Sequence, residues 1–510
     1  PDVSNEVTVQ LPTAVVRLAA HVLHLRGPAP VPQPLTSAAG DVLCWNGEVF
    51  GGLSVGAAND GELLLQHILS QPTGAQRLPQ ALRTICGPYA LAFFDHAAST
   101  LWFARDPLGR RSLLISREHT TGGLMLSSVA GEAAAPGWSA WSEVQARAIY
   151  RLDLNSWTID EHPWTHDGPL PLPFACVSDE LVPCEEPLDG PQTELPAEGT
   201  WRPLVDGLEH VLRTAVHNRV ASVPERCPGE PRIGVLFSGG VDCITLAALA
   251  SAELPASEPI ELINVAFENP RQKHTPQDKY SVPDRTTGLQ GLEELRRLYP
   301  LRPWRFVCVD VLYAEMQAEA AHVRRLIAPA DTVMDMSIAV ALWFASRGVG
   351  RLLLPPATGC SDQLGSSYTA GARVLLLGMG ADEQLAGYAR HRTAWTAGGQ
   401  RKLAEEIRLD VDRIAHRNLG RDDRVVADNA REARFPFLDE HVVDYLARLP
   451  AAHKADMRYP RGIGEKMLLR LLARRLGLTN ACSLPKRAIQ FGARTAKMES
   501  SRTKGQDALP

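Results

Sequence analysis

Short segments in which apolar and polar residues alternate fill the first third of the chain, between residues 20 and 164. Glycines and other turn-forming residues separate them, which is typical of β-strands with one buried face. The stretch from Gly61 to Gln71 has helical periodicity instead. The predicted strands are AHVLHLRG, VLCWNGEVF, GPYALAFFDH, STLWFARD, GLMLSS and ARAIYRLDL. This pattern predicts a layered α+β domain.

A different pattern follows residue 200. The segment from Trp201 to Val220 has helical periodicity, and apolar strands then alternate with helical segments. Strands separated by helices imply a parallel sheet, and so an α/β domain. Two polar segments, 268–287 and 356–370, are predicted to be loops, and beyond Gly387 the pattern is mainly helical with a polar tail. The predicted strands are IGVLFS, INVAFE, WRFVCVDV and ARVLLLGMG.

A segment rich in proline, glycine and acidic residues separates the two patterns at 167–200. Such a composition disfavours regular structure and is typical of a linker. The length of 510 residues is also too great for one ordinary core. We therefore predict a first domain over 1–166, a linker over 167–200 and a second domain over 201–510.

Composition narrows the class of protein. Hydrophobic residues make up 45% and charged residues 22%, which is the balance of a globular protein, and the net charge of -5 gives no general attraction to nucleic acid or to a membrane. No apolar run reaches the length of a membrane span, and no leader-like segment opens the sequence. The nine cysteines have neither paired nor zinc-binding spacing. We expect a cytoplasmic protein with reduced thiols, among them Cys44, Cys86 and Cys308.

The segment IGVLFSGGVDC, from Ile233 to Cys243, carries the first chemical motif. Glycines directly after an apolar strand let the backbone approach a phosphate, while the N–H groups at the start of the next helix face the anion. Asp242 is then placed to hold a magnesium ion that bridges phosphate oxygens. The alternative is a simple glycine turn, with Asp242 as an early helix residue that favours the helix dipole.

A second glycine and acid motif, GMGADEQLAGY, spans 378–388 and also follows an apolar strand. The carboxyl ends of parallel strands share one edge of a sheet, so the two motifs can face one nucleotide, with Asp242 and Asp382 clamping one magnesium ion. Taken alone, Asp382 and Glu383 are as readily explained as an acidic pair at the start of a helix.

Together these motifs resemble the glutamine-dependent asparagine synthetase family. The resemblance covers nearly the whole chain and rests on WNGEVF, WFARDPLGRRSLL, LFSGGVDC, GADEQLAGY, ARFPFLDE and LPKRAIQFGARTAKM. It implies an Ntn-type glutaminase-like first domain and a second domain of the PP-loop ATP pyrophosphatase (adenine nucleotide alpha hydrolase-like) fold. In that family glutamine supplies ammonia, and ATP with magnesium adenylates a carboxylate that the ammonia then attacks.

The resemblance also assigns residues in the first domain. Asn46 and Gly47 match the oxyanion-hole segment, whose amides stabilise a tetrahedral intermediate. Glu48 and Asp60 match positions that hold the α-amino group of glutamine. The alternatives are a polar hairpin turn for Asn46 and Gly47, and an exposed acid before a helix for Asp60.

In the second domain the resemblance implies an ATP site and a catalytic lysine. Lys486 matches the lysine that stabilises the transition state of adenylation, although a lysine in such a basic segment is ordinarily a solvated charge. Asp242 and Asp382 are the implied magnesium ligands. The implied ATP-binding residues are Leu236, Ser238, Gly239, Gly240, Asp242, Cys243, Val265, Gly378 and Met379.

Two departures concern the glutaminase half. The family's nucleophile is an amino-terminal cysteine, whereas this sequence starts at Pro1 and has no cysteine before Cys44. We expect that either the amino end of the first domain or its glutaminase activity is missing. The family's arginine in the HVLHLRG strand is replaced by Leu23, with Arg26 nearby, so the clamp for the glutamine carboxylate is in question.

Two more departures concern the ATP site. Cys243 replaces the closing serine of the phosphate loop, and a thiol is the weaker hydrogen-bond donor, at a loss of about 1 kcal/mol. Met379 replaces a glutamate and cannot accept a proton.

Two hypotheses therefore stand. The first is an amidoligase that uses glutamine, ATP and a small carboxylate, aspartate by family analogy. The second is a catalytically reduced relative that serves as a nucleotide-binding or protein-interaction module. An amidotransferase of nucleotide or sugar metabolism is disfavoured because it lacks the SGG loop domain. A homodimer or a protein partner stays open, and no basic face favours nucleic acid.

Overall fold

The computed structural model describes residues 1–118, 122–131, 137–164, 178–182, 192–269, 279–354, 363–495 and 507–509. The chain divides into two compact units. The first comprises Pro1–Ala175, Ser222–Pro224 and Arg413–Arg424, and the second comprises Cys176–Ala221, Glu225–Asp412 and Val425–Pro510. Most of the predicted linker lies outside the described residues. Within the described part of the chain, no helix is both long and apolar enough to cross a membrane.

The first unit is built mainly from β-strands. Its elements are β1 (Val3–Gln10), β2 (Val15–Val22), β3 (Leu35–Thr36), β4 (Val42–Gly47), α1 (Asp60–Ser70), α2 (Arg77–Leu82), β5 (Tyr89–Asp95), β6 (Thr100–Arg105), β7 (Leu114–Glu118), β8 (Gly123–Ser127), β9 (Ser142–Glu143), β10 (Ala148–Asp153) and β11 (Thr158–Pro163).

An antiparallel six-stranded sheet forms the centre of this unit, in the order β11-β10-β6-β5-β4-β3. Leu64 and Ile68 of α1 pack in a cluster on one face of the sheet, and Val16 and Leu18 of β2 belong to a separate cluster with other residues of the sheet. The prediction of a layered α+β domain and of a helix over 61–71 is thus confirmed. The pattern did not predict β1, β3, β7, β9 or β11. The strand predicted over 20–27 is also wrong in position, since β2 ends at Val22.

Residues 413–424 belong to the first unit although they lie far along the chain. Arg111 is buried, and its Nη1 pairs with Asp423 Oδ1 at 2.9 Å. Arg424 Nη1 pairs with Glu143 Oε1 at 2.9 Å, and Glu143 also pairs with Arg105 at 3.1 Å. Buried charges require such partners, so this late segment completes the polar interior of the first unit.

The second unit alternates strands and helices. Its elements, of which α9 and α10 extend into residues 413–424, are α3 (Arg202–Val220), β12 (Ile233–Leu236), α4 (Val241–Glu253), β13 (Ile260–Phe267), α5 (Pro283–Leu298), β14 (Trp304–Val311), α6 (Tyr313–Ile327), α7 (Val333–Arg347), β15 (Val349–Leu354), β16 (Gln363–Thr369), β17 (Val374–Leu376), α8 (Ala381–Gln384), α9 (Ala389–Arg417), α10 (Leu419–Ala427), β18 (Glu432–Arg434), α11 (Glu440–Arg448), α12 (Met467–Arg475) and α13 (Ile489–Gly492).

These strands form a mixed seven-stranded sheet in the order β16-β15-β14-β13-β12-β17-β18. The strands from β14 to β18 in this order are parallel, whereas β15 and β16 are antiparallel, so the prediction of a purely parallel sheet is wrong at one edge. Two helices, α6 and α7, stand between β14 and β15, so the chain re-enters the sheet in the opposite direction.

Both predicted loops need correction. The loop predicted over 356–370 contains the edge strand β16, and the one predicted over 268–287 already contains the start of α5 at Pro283. Residues 270–278 and 355–362 lie outside the described residues. Residues of an edge strand face water on several sides, so β16 has no apolar pattern to reveal it.

Every residue of β13 is buried, which explains its mainly apolar sequence, and the two exceptions are the buried Glu261 and Asn264. The parallel strands β12 and β17 are neighbours, so their carboxyl ends lie side by side at one edge of the sheet. The two glycine and acid motifs follow those two ends.

Candidate active site

The SGG loop lies between β12 and α4 and packs against the start of α5. Gly239 has φ +77, and a β-carbon at this position would overlap the backbone oxygen of Thr287. Thr287 Oγ1 donates to the carbonyl oxygen of Ser238 at 2.6 Å. Glycine is therefore required by both the backbone conformation and the close approach. Gly240 is the N-cap of α4, so the first free N–H groups of that helix lie at the end of the loop.

Asn264, a buried residue of β13, ties the loop to its surroundings. Its Nδ2 donates to the carbonyl oxygens of Phe237 at 2.8 Å and Asp284 at 2.9 Å, and its Oδ1 accepts from Arg285 Nε at 2.6 Å. One side chain thus fixes the end of β12 and the start of α5. Nothing in the sequence of β13 signalled this role of Asn264.

The two predicted motifs meet in the structure. A β-carbon on Gly378 would lie 2.9 Å from the β-carbon of Asp242, so the second motif lies directly against the first. Asp382 is in the first turn of α8, together with Glu383, as the acidic-pair interpretation expected. The carboxylates of Asp242 and Asp382 converge on one point.

The ammonium group of Lys466 occupies that point. Its Nζ lies 2.8 and 2.7 Å from Oδ1 and Oδ2 of Asp242, and 2.6 Å from Oδ1 of Asp382. The lysine side chain is 1% exposed. Burial disfavours its charge, but the two carboxylates outweigh burial and raise the pKa of Lys466 above its usual value. A β-carbon on Gly387 would overlap both Asp382 and Lys466, so the glycine before Tyr388 makes room for this pair.

Sequence reasoning missed Lys466. It stands between an acidic residue and the apolar helix α12, where a lysine is normally solvated. Its φ of 56° is one that non-glycine residues rarely adopt, but nothing in the sequence signals it.

Lys486 completes the cluster around Asp382. Its Nζ donates to Asp382 Oδ2 and lies 5.1 Å from the centre of the Tyr388 ring. The lysine side chain is 21% exposed, so the interpretation as a solvated charge is wrong. Burial opposes ionisation of Asp382, but Lys466 and Lys486 outweigh it and hold its pKa below the usual range. Asp382 is therefore a carboxylate at neutral pH.

Glu383 and Tyr388 form a second pair beside the cluster. The Tyr388 hydroxyl donates to Glu383 Oε1 at 2.6 Å. Burial, and then the charge of Asp382, raise the pKa of Glu383. Burial, together with the same two carboxylates, raises the pKa of Tyr388 well above its usual value, so the phenol stays protonated.

The residues present fit the donor set of a magnesium ion. Asp242 and Asp382 offer carboxylate oxygens within reach of one shared position, and such hard ligands suit Mg²⁺. Within the described ranges, no group of three or more His, Cys, Asp or Glu side chains could hold a metal ion. Mg²⁺ in nucleotide sites is usually held by only one or two carboxylates plus phosphate oxygens.

The other predicted ATP-binding residues line the same edge of the sheet. Cys243 and Val265 are buried, in α4 and β13. The Cys243 thiol donates to the Gly240 carbonyl oxygen at 3.2 Å, and burial raises its pKa to about 11. It is therefore a neutral thiol. The half-buried residues are Leu236, Ser238, Gly240, Gly378 and Met379.

The predicted glutamine residues lie in the first unit, around Val49. Asp60 is buried at the start of α1, and its two oxygens accept from the backbone N–H groups of Val49 at 2.9 Å and Gly61 at 3.0 Å. The interpretation as an exposed acid is thus wrong. Arg26 Nη1 lies 3.3 Å from Glu48 Oε2 and donates to the carbonyl oxygen of Val49 at 2.6 Å. The shifted arginine therefore reaches the predicted site.

Asn46 and Gly47 are not a hairpin turn. They are the last residues of β4 and pair with Ala90 and Tyr89 of β5. Asn46 is exposed, whereas a β-carbon on Gly47 would lie 2.5 Å from the carbonyl oxygen of Pro88. Close packing at this strand end explains the glycine.

Comparison with known proteins places the chain in a family. Residues 395–498 match the family model described as asparagine synthase. The chain is 36% identical to asparagine synthetase domain-containing protein 1 of Bos taurus, an alignment that covers 99% of this chain and 92% of that protein. The chain belongs to the asparagine synthetase domain-containing proteins.

One further protein of this family and one putative asparagine synthetase are also similar to the chain. The asparagine synthetase domain-containing protein of Saccharomyces cerevisiae is 33% identical over 94% of this chain and 84% of its own length. A putative asparagine synthetase (glutamine-hydrolyzing) 1 of Methanocaldococcus jannaschii is 29% identical over 46% of this chain and 35% of its own length. The resemblance inferred from the motifs is confirmed.

In this asparagine synthetase domain-containing protein, the asparagine synthase match contains Lys466 and Lys486. Asp242 and Asp382 precede the matched residues, yet they contact these two lysines directly. Among the described residues, none of Cys44, Cys86, Cys227, Cys243, Cys308 and Cys482 forms a disulfide, as predicted. Of the three cysteines expected in the core, Cys308 is buried, whereas Cys44 and Cys86 are half-buried.

Proposed function

We propose that this chain is an ATP-dependent carbon–nitrogen ligase of the asparagine synthetase type. The observation that carries the proposal is the convergence of Asp242, Asp382 and Lys486 beside a loop that requires glycine at Gly239. Family membership supports the same chemistry. Aspartate as the acceptor and glutamine as the nitrogen donor are the finer parts of the proposal, and they rest on family analogy.

The chemistry assigns a task to each group. A carboxylate oxygen of the substrate attacks the α-phosphorus of ATP, pyrophosphate leaves, and ammonia then displaces AMP to give the amide. Backbone N–H groups of the loop and of α4 hold the leaving pyrophosphate. Lys486 stabilises the negative charge that builds up on the phosphoryl oxygens. Asp242 and Asp382 would hold a magnesium ion, which would supply charge neutralisation at the phosphates.

We propose that the first unit is a glutaminase half of the Ntn type and that the second unit has a PP-loop fold. Glu48 and Asp60 are buried around the Val49 backbone, where Arg26 also reaches. We propose that a glutamine α-amino group is held at these two carboxylates. Arg26 then has a carboxylate partner of its own in Glu48, which leaves it less free to bind the glutamine carboxylate.

Magnesium-dependent exchange of labelled pyrophosphate into ATP tests the ligase. A panel of carboxylic acids that includes aspartate should contain at least one that supports exchange. Asp242→Asn should abolish it, whereas Asp206→Asn, at a carboxylate 61% exposed on the surface of α3, should not. Folded protein without exchange for any acid refutes the proposal. Amide formation measured with ammonium chloride and with glutamine then separates the two halves.

A second candidate is a nucleotide-binding module without catalysis. The specific observation in its favour is at the loop itself, where the Cys243 thiol donates to Gly240 and stands in place of a hydroxyl. Titration calorimetry with ATP and magnesium distinguishes the two. Binding that survives in protein that never exchanges pyrophosphate supports the module.

A further inference from the structure

Lys466 lies where a cation shared by Asp242 and Asp382 would lie. Its Nζ is within 2.8 Å of three carboxylate oxygens, at distances of 2.8, 2.7 and 2.6 Å. The backbone of Lys466 is fixed on both sides, since its N–H donates to Leu385 at 3.0 Å and its carbonyl oxygen accepts from Arg470 at 2.9 Å. The ammonium group is thus presented by a rigid segment and not by a mobile surface side chain.

The cluster is electrically balanced without a metal ion. Two carboxylates, Asp242 and Asp382, face two ammonium groups, Lys466 and Lys486. A divalent cation added to this cluster would bring two uncompensated positive charges into a partly buried region, which is unfavourable. Nucleotide phosphates carry negative charge that would balance the added cation.

The charged groups nearest to this cluster also have partners of their own. Arg470 lies 3.4 Å from Glu465, and Glu383 accepts from the Tyr388 hydroxyl at 2.6 Å. The charge of Lys466 is therefore paired with the carboxylates of Asp242 and Asp382.

We propose that Lys466 is a positioning residue that acts as an internal cation. It holds Asp242 and Asp382 together and excludes divalent metal until a nucleotide brings metal and phosphates in together. Metal binding at this site is then conditional on nucleotide. The inference rests on the proposed function for the identity of that nucleotide, but the exclusion of free metal does not require catalysis.

Binding of Mn²⁺ in the absence of nucleotide tests the proposal, because free Mn²⁺ has an electron paramagnetic resonance signal that is lost on binding. The unaltered protein should show no saturable site at millimolar Mn²⁺. Lys466→Met removes the charge and keeps a long unbranched side chain. It should create a Mn²⁺ site that needs no nucleotide and binds at least tenfold more tightly than the unaltered protein does. Lys466→Met combined with Asp242→Asn should lose that site again.

Lys454 provides a control that is matched in residue type and burial. It is equally buried, at 1% exposed, and in the part of the chain that the structure describes it forms no ion pair with a carboxylate. Lys454→Met should therefore leave Mn²⁺ binding unchanged. A Lys466→Met protein that is folded and binds Mn²⁺ no better than the unaltered protein overturns the proposal.

Failure of a variant to fold does not remove the test. Tight Mn²⁺ binding by the unaltered protein without nucleotide, lost in Asp242→Asn, would equally overturn the proposal. The outcome is also separable from the proposed function. Absence of pyrophosphate exchange together with a new Mn²⁺ site in Lys466→Met would refute the ligase and support the internal cation.

Discussion

Replacing Asp284 by asparagine tests how the second unit accommodates a buried carboxyl group next to the segment that carries Lys486. Asp284 is the second residue of α5 and is 6% exposed. A β-carbon on Gly492 would overlap both of its carboxyl oxygens, so α13 covers this side chain closely. Among the described residues, the nearest cation is the half-exposed Arg487, which is 3.8 Å away and so beyond hydrogen-bond distance.

Burial raises the pKa of Asp284 from 3.8 to about 7, against the weaker opposing effect of Arg487 and then Lys486. Between these two pH values the folded protein keeps a proton that the unfolded chain has released. The free energy of unfolding must therefore fall as pH rises through this window. Each pH unit is worth about 1.4 kcal/mol, so the whole window amounts to about 4 kcal/mol.

Asparagine has nearly the same shape and stays neutral at every pH. Asp284→Asn should match the unaltered protein near pH 4 and exceed its stability by up to about 4 kcal/mol at pH 8. Urea unfolding at pH 5, 6, 7 and 8, followed by pulsed hydrogen exchange on peptides from α5, measures the second unit separately from the first. A stability difference that does not change with pH would refute the reasoning.

Three further predictions concern the loop and the pair beside it. Gly239→Ala forces alanine to φ +77 against Thr287, so it should destabilise the second unit by at least about 1–3 kcal/mol and remove ATP binding in titration calorimetry. Cys243→Ser should tighten ATP binding up to about tenfold, and an unchanged affinity would show that the thiol costs nothing. Tyr388→Phe leaves the buried Glu383 without its hydroxyl donor and should cost about 1–3 kcal/mol in urea unfolding; a loss under about 0.5 kcal/mol would contradict this.

The alternation of apolar strands and helices was enough to predict the core of the second unit. β12, the glycine loop and α4 lie where the pattern indicated, since a strand buried on both faces leaves a continuous apolar run. β16 was invisible because an edge strand buries little side-chain area. Its antiparallel direction depends on the pair of helices before β15, which no local pattern specifies.

The candidate site was predictable only in part, because some of its residues are brought together by tertiary packing alone. Asp242 and Asp382 follow strand ends, so their meeting could be inferred from the parallel order of β12 and β17. Lys466 reaches them from the start of α12, far along the chain, and only tertiary packing brings it there. Asn264 similarly acts through three hydrogen bonds to distant backbone and side-chain groups.

The late segment at residues 413–424 limits how the chain can be divided. A fragment that ends in the proline-rich stretch would contain Arg111 and Glu143 but would lack Asp423 and Arg424, with which they pair. Removing one partner of a buried ion pair typically destabilises a protein by about 3–5 kcal/mol. Expression of the amino-terminal half alone should therefore give an unstable product, and co-expression with a peptide that contains residues 413–424 offers a route to a soluble one.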